Sequence, residues 1–111
     1  MGERAYLGEL EQMLLWAILR LGDGAYGPAI LAELDERVGR AVSPGALYAT
    51  LDRLESKGMI ASRHADPEPG RGGRPRRYVR VTAEGRAALA DLRGEWMRLW
   101  AGLDEALEAD A

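Results

Sequence analysis

The sequence predicts an α+β domain, mainly helical with one small β-hairpin, and three observations lead there. Three stretches of helical apolar spacing open the chain, each closed by glycine. A Pro/Gly-rich segment between two short β-type runs follows them. A final stretch with an a/d seam ends the chain. Helix, helix, helix, hairpin and long helix is the order of a winged helix-turn-helix with a C-terminal dimerisation helix.

Glu9 to Leu21 reads as the first helix, apolar in almost every direction through Leu10, Met13, Leu14, Leu15, Trp16, Ala17, Ile18, Leu19 and Leu21. Such a helix has to be covered on all sides. Gly22-Asp23-Gly24 stops it. Pro28 suits the first turn of a second helix, whose Ile30, Leu31, Leu34 and Val38 recur at helical spacing up to Gly39. Ser43-Pro44 then pairs an N-cap with proline at the first helical position. Leu47, Leu51 and Leu54 form the buried stripe of this third helix, and Gly58 closes it.

Met59 to His64 and Arg76 to Val81 read as two strands flanking a loop dense in proline, glycine and arginine. Thr82 can cap the last helix, with Glu84 in its first turn where the dipole favours an acid. That helix is expected to run to about Glu108, with Gly94 and Gly102 as weak points. Two functional segments follow: residues 1–82 as a DNA-binding unit and 83–111 as a dimerisation helix packed on it.

The 111 residues, 47% of them hydrophobic, suit one core and exclude a catalytic domain beside a separate binding domain. With no cysteine there is no disulfide framework, thiolate metal site or cysteine nucleophile, which fits a cytoplasmic protein. The single histidine, His64, leaves a histidine-rich metal site or a Ser-His-Asp triad without support, so neither an enzyme nor a cofactor is expected. The longest apolar run, Met13 to Leu19, is far short of the roughly 20 residues that span a bilayer, and no membrane role is expected.

A net charge of −3 looks wrong for a nucleic-acid binder until its distribution is considered. From Arg63 to Arg86 seven arginines face three acids, a balance of +4, so the remainder carries −7. A basic edge on an acidic body is the result.

At about 100° per residue, Gly45, Ala49, Arg53 and Ser56 point away from the core of the third helix, with Ala46, Thr50 and Lys57 on one flank and Tyr48 on the other. Small residues near its N-terminus let the backbone approach base edges, while Arg53 can reach a guanine or a phosphate. Tyr48 reads as half core and half contact, its hydroxyl in reach of a phosphate, and Tyr26, at the start of the second helix, can place its hydroxyl on the DNA backbone or serve packing equally well. Arg71, Gly72, Gly73, Arg74, Arg76 and Arg77 read as a cationic finger suited to phosphates and a narrow minor groove. An ordinary amphipathic surface helix and a solvated arginine loop are the plainer readings of the same residues; their occurrence together favours double-stranded DNA. A winged-helix protein-interaction module is the alternative, and the acidic net charge is its best argument.

Leu89, Leu92, Trp96, Leu99, Leu103 and Ala106 alternate steps of three and four, a seam that wants a partner. That partner can be the chain's own first helix; a homodimer in which this seam meets the first helix of the other subunit, at Leu10 and Leu14, and its last helix covers both surfaces. Trp96 and Trp100, with Trp16 and Met13 near them, read first as core; the sharper reading is a stacking site for a planar hydrophobic small molecule whose binding changes the distance between wings.

Six segments carry a resemblance to a known family: Leu7-Gly-Glu-Leu-Glu, Ala25-Tyr-Gly, Ser43-Pro-Gly-Ala-Leu-Tyr, Leu51-Asp-Arg-Leu-Glu-Ser-Lys-Gly-Met-Ile, Gly72-Gly-Arg-Pro-Arg-Arg-Tyr and Val81-Thr-Ala-Glu-Gly. From about Leu7 to Leu89 the chain resembles PadR-type transcriptional regulators. The resemblance implies a dimeric winged-helix repressor on a palindromic operator, contacting it through Ser43, Gly45, Ala46, Tyr48, Thr50, Arg53 and Lys57 and through the wing. A single C-terminal helix resembles the shorter branch, in which a dimer-helix tryptophan meets planar hydrophobic compounds; Trp96 is placed for that role.

Overall fold

The computed structural model describes residues 6–65 and 75–109. Its elements run α1 (Glu9–Leu21), α2 (Gly27–Val38), α3 (Pro44–Ser56), β1 (Ile60–Ala65), β2 (Arg76–Val81), α4 (Ala83–Trp100) and α5 (Asp104–Glu108). The expected order is present, with one division: the last helix is two. Gly102, at φ +79°, turns the chain between α4 and α5, whereas the helix passes through Gly94 without a break. α2 begins one residue before Pro28, at Gly27, with Tyr26 as its N-cap.

The core forms where the apolar stripes of the first three helices meet the inner face of the hairpin. Leu14, Leu15 and Ile18 of α1, Ile30 of α2, and Leu47, Leu51 and Leu54 of α3 are all but fully buried, beside Ile60, Val79 and Val81. Burying a side chain of this size contributes about 1.5–3 kcal/mol. Leu14 and Leu89, expected at a subunit interface, are 0% and 1% exposed within the chain itself. They belong to its own core, where α1 packs against α2, α3, β2 and α4.

β1 and β2 pair antiparallel, with Ile60 opposite Val81 and Ala65 opposite Arg76. The segment between α1 and α2 joins this hairpin: Val79 N–H donates to Ala25 O at 2.9 Å, and Tyr26 bridges Tyr78. The wing is thereby attached to the N-terminus of α2 as well as following α3 in sequence.

Thr82 caps α4, its hydroxyl accepting from Gly85 N–H at 3.1 Å and donating to Gly58 O at 2.6 Å. At Gly85 the first turn of α4 lies directly on the strand entry, where a Cβ would stand 2.3 Å from Met59 O and 2.7 Å from Val81 Cγ1. Only glycine permits that approach. Beyond Leu89 no residue of α4 is fully buried, and the helix projects from the body. Its 18 residues are about 27 Å long, and the radius of gyration, 16.6 Å, exceeds the ~13 Å of a compact chain of this length.

Candidate nucleic-acid interface

With Leu47, Leu51 and Leu54 turned inward, α3 presents Gly45, Ala46, Tyr48, Ala49, Asp52, Arg53 and Ser56 to solvent. Ser43 Oγ accepts from Ala46 N–H at 3.1 Å and so starts the helix from an exposed position. A Cβ on Gly45 would meet nothing within 4 Å, which leaves the backbone of the first turn bare. The N-terminal end of a helix favours anions through its dipole and its free N–H groups, so a phosphate is an apt neighbour here.

Tyr48 leans from α3 onto α2. A Cβ on Gly27 would stand 2.3 Å from its hydroxyl oxygen, yet the side chain remains 42% exposed. Its hydroxyl end lies against Gly27 and packs the two helices together, while part of the side chain remains open to solvent. Thr50, expected on the reading face, is fully buried. Its hydroxyl donates to Ala46 O at 2.7 Å and accepts from Arg53 Nη2 at 3.0 Å, so it steers the Arg53 guanidinium along the exposed face.

Lys57 is likewise turned inward. Its ammonium donates to both carboxylate oxygens of Glu11, at 2.9 and 2.7 Å, and to Tyr6 O at 2.6 Å. Burial pushes the Glu11 carboxyl up, but the hydrogen bonds from Lys57 and Gly8 N–H and the charges of Lys57 and Arg53 outweigh it and hold the group below its ordinary value.

On the hairpin, Arg77 bonds to Asp52 and Glu55 of α3 at 3.1 Å each and to Ser62 Oγ at 3.0 Å. Ser62 also donates to Glu55. The Ser62 hydroxyl and the Arg77 guanidinium together hold the Glu55 carboxyl below its usual range. Arg77 is thus the tie between wing and α3, its charge met by two acids. Beside it the Arg63 guanidinium stacks over Tyr78 at 4.5 Å, Tyr78 lies 5.5 Å from Tyr26, and Arg76 covers Tyr26 at 5.3 Å. Arg71, Gly72, Gly73 and Arg74 lie outside the described residues.

Trp96 and Trp16 line separate grooves. Trp96 lines about 340 Å³ beside the start of α1, with Tyr6, Leu7, Gln12, Leu92 and Leu99. Met13 and Trp16 line about 540 Å³ between α1 and α2. Trp16 and Met13 therefore line a different groove from Trp96 within one chain, contrary to the expectation that they lie together. Trp100 is half-exposed on α4 and lines neither groove.

An outward-facing helix tied to a basic hairpin invites comparison with known regulators, and residues 15–91 match the model of the transcriptional regulator PadR-like family. The chain belongs to this family. A transcriptional regulator of Mycobacterium tuberculosis is 44% identical over 66 residues, a match covering 60% of this chain and 57% of that relative's length. A PadR family regulator from Clostridium difficile superposes with a TM-score of 0.70 at 29% identity, covering 87% of this chain and 97% of the other. One from Eggerthella lenta does so with a TM-score of 0.69 at 31% identity, covering 92% and 88%. The fold is the winged helix of PadR-like transcription regulators, proteins that are not enzymes. Among the described residues no helix is long and apolar enough to cross a membrane.

Within this PadR-like frame, Ser43, Gly45, Ala46, Tyr48, Ala49 and Arg53 share one exposed face, whereas Thr50, Lys57 and Arg77 are held by partners inside the chain. Tyr26 and Arg76 lie where the hairpin meets α2. Sequence reasoning passed over Arg63, Tyr78, Asp52 and Glu55. Arg63 and Tyr78 are cross-strand partners, so the hairpin register is the signal that brings them together.

Proposed function

We propose that this PadR-like regulator binds double-stranded DNA as a homodimer and represses transcription from a palindromic operator. The observation that carries the reading is the α3 face: small residues and bare backbone at its start, then Arg53 about two turns on, all exposed. Such a face suits a major groove, with Ser43 and Tyr48 against the backbone and Arg53 on a base edge or phosphate. Wing residues Arg71, Gly72, Gly73 and Arg74, with Arg76 at their base, suit the flanking minor groove. Two copies would place their α3 helices about 34 Å apart.

Dimerisation falls to the outer half of α4, where Trp96 and Leu99 are 58% and 68% exposed, with Leu103 beyond it. Leu10 and Leu92 are partly covered already and complete the edge of that surface. The Trp96 groove, with Trp100 nearby, is the seat of a planar hydrophobic effector that releases the DNA; its about 340 Å³ falls within the ~300–1,000 Å³ usual for small-molecule sites.

Sedimentation velocity with and without a palindromic fragment of the protein's own promoter tests dimer and DNA binding together. A free species of twice the chain mass that shifts further with the duplex is the expected result. A species indifferent to DNA would favour a protein-interaction module, a reading to which Asp52 and Glu55 on α3 add beside the acidic net charge.

A further inference from the structure

Asp52 stands in the middle of the face that α3 turns outward. Gly45, Ala49, Asp52 and Ser56 follow one another at steps of four, three and four, so they share one line along the helix, opposite the buried Leu47, Leu51 and Leu54. Its companions on that line are small, which lets the backbone come close to whatever the face meets. The Asp52 carboxylate, 72% exposed, is the charge presented there.

An acid in this position works against DNA affinity in general. Phosphate oxygens repel it, and so do the major-groove edges of guanine and thymine, whose hydrogen-bonding groups are acceptors, since a carboxylate only accepts. Adenine sets a donor beside an acceptor. Cytosine alone offers an amino donor, N4, with no acceptor next to it on its own edge. Repulsion toward the wrong bases is itself a source of specificity, which is a difference between affinities.

We propose that Asp52 is a specificity-determining residue of the DNA interface, its carboxylate accepting from the N4 amino group of a cytosine in the major groove of each operator half-site. This rests on the DNA-binding reading above and deepens it. Arg77 is the positioning residue. Its Nη1 donates to Asp52 Oδ1 and its Nη2 to Glu55 Oε1, both at 3.1 Å, while its Nε donates to Ser62 Oγ at 3.0 Å. The guanidinium, only 22% exposed, thus fixes the direction of the Asp52 side chain before DNA arrives, so less rotamer freedom is lost on contact. Its charge also offsets part of the repulsion from neighbouring phosphates. With Oδ1 engaged by Arg77, Oδ2 is the atom that meets the base. Arg53 follows in sequence, its guanidinium steered by Thr50 Oγ1 at 3.0 Å. Acid and base stand side by side on α3, as the N4 donor of cytosine and the O6 and N7 acceptors of guanine do in the groove.

The test is fluorescence anisotropy on labelled duplexes made from the operator in the protein's own promoter, each half-site base pair replaced in turn by the other three. The full chain, Asp52→Ala and Asp52→Asn are compared, with thermal melting to show that all three are folded. The parent should prefer C·G at one position of each half-site by about tenfold, within the range of a single base contact. Asp52→Ala should lose the preference at that position alone and bind a scrambled duplex several-fold more tightly, because a repelling charge is gone. Asp52→Asn should turn the preference to A·T, since an amide pairs with adenine N6 and N7. A profile unchanged by both substitutions, or a loss spread evenly along the site, would make Asp52 an anchor for Arg77 and overturn the assignment with DNA binding intact. A parent that shows no sequence preference, or no binding, overturns the operator reading and the assignment together.

Discussion

Lys57, the C-cap of α3, holds the Glu11 carboxylate of α1 at 2.7 and 2.9 Å, joining two helices separated by 46 positions in the chain. Glu11 is only 5% exposed, so this pair fastens the N-terminal helix to the end of the reading helix from inside the fold. Lys57→Met should therefore lower stability by about 2 kcal/mol in urea unfolding, below the ~3–5 kcal/mol of a fully enclosed pair because Lys57 keeps 28% of its side chain in water. Operator affinity of the folded variant should change less than threefold. A loss of a hundredfold or more with stability intact would make Lys57 a DNA contact after all.

The same pair sets a pH dependence. The Glu11 carboxyl is lowered from 4.5, so its contribution is fully present above about pH 4.5 and is lost as the pH falls through the lower folded value. Glu11→Gln removes the charge and should flatten the stability curve below pH 4.5 relative to the parent. Thermal unfolding at pH 3.5, 4.5 and 6 reads the difference; parallel curves for the two proteins would remove Glu11 from the acid response.

Gly85→Ala forces a methyl group against Met59 O and Val81, atoms held by a strand entry rather than by a movable side-chain end. A cost of about 2–3 kcal/mol is expected, in the range of overpacked cores. Gly27→Ala meets only the far end of Tyr48, which can swing aside. It should cost under about 1 kcal/mol in melting experiments, while DNA affinity falls several-fold as Tyr48 is displaced.

Arg53 and Arg77 should separate in DNA titrations. Arg53→Ala is expected to lose about 1–3 kcal/mol and to relax preference at one base pair if it reads a base, or to reduce the salt slope by about one if it holds a phosphate. Arg77, already matched to Asp52 and Glu55, should leave the salt slope nearly unchanged when replaced by alanine and act instead through wing position. Asp52→Ala in the Arg77→Ala background should recover part of the loss.

Local signals made the scaffold readable. Ser43-Pro44 and Thr82 are caps whose partners lie three residues away, and the leucine stripe of α3 is a matter of periodicity. The misplaced residues turn on packing and partners that helical spacing leaves open. Thr50 lies at the margin of the stripe, where helical angles leave its burial open, and its hydroxyl is satisfied inside the helix by Ala46 O. Arg77 resembles the loop arginines in composition, but the hairpin register carries it to the acids of α3. Leu14 and Leu89 fit a seam equally well within or between subunits, and only the packing of α4 on α1 decides which.

Fluorescence anisotropy of a labelled duplex from the protein's own promoter, titrated across about 50–200 mM salt, tests the central claim most directly. The account predicts sequence-preferring binding that weakens steeply with salt, as phosphate contacts require, and that is diminished by Arg53→Ala. Binding that is absent at micromolar protein, or equal for promoter and scrambled duplexes, would contradict it.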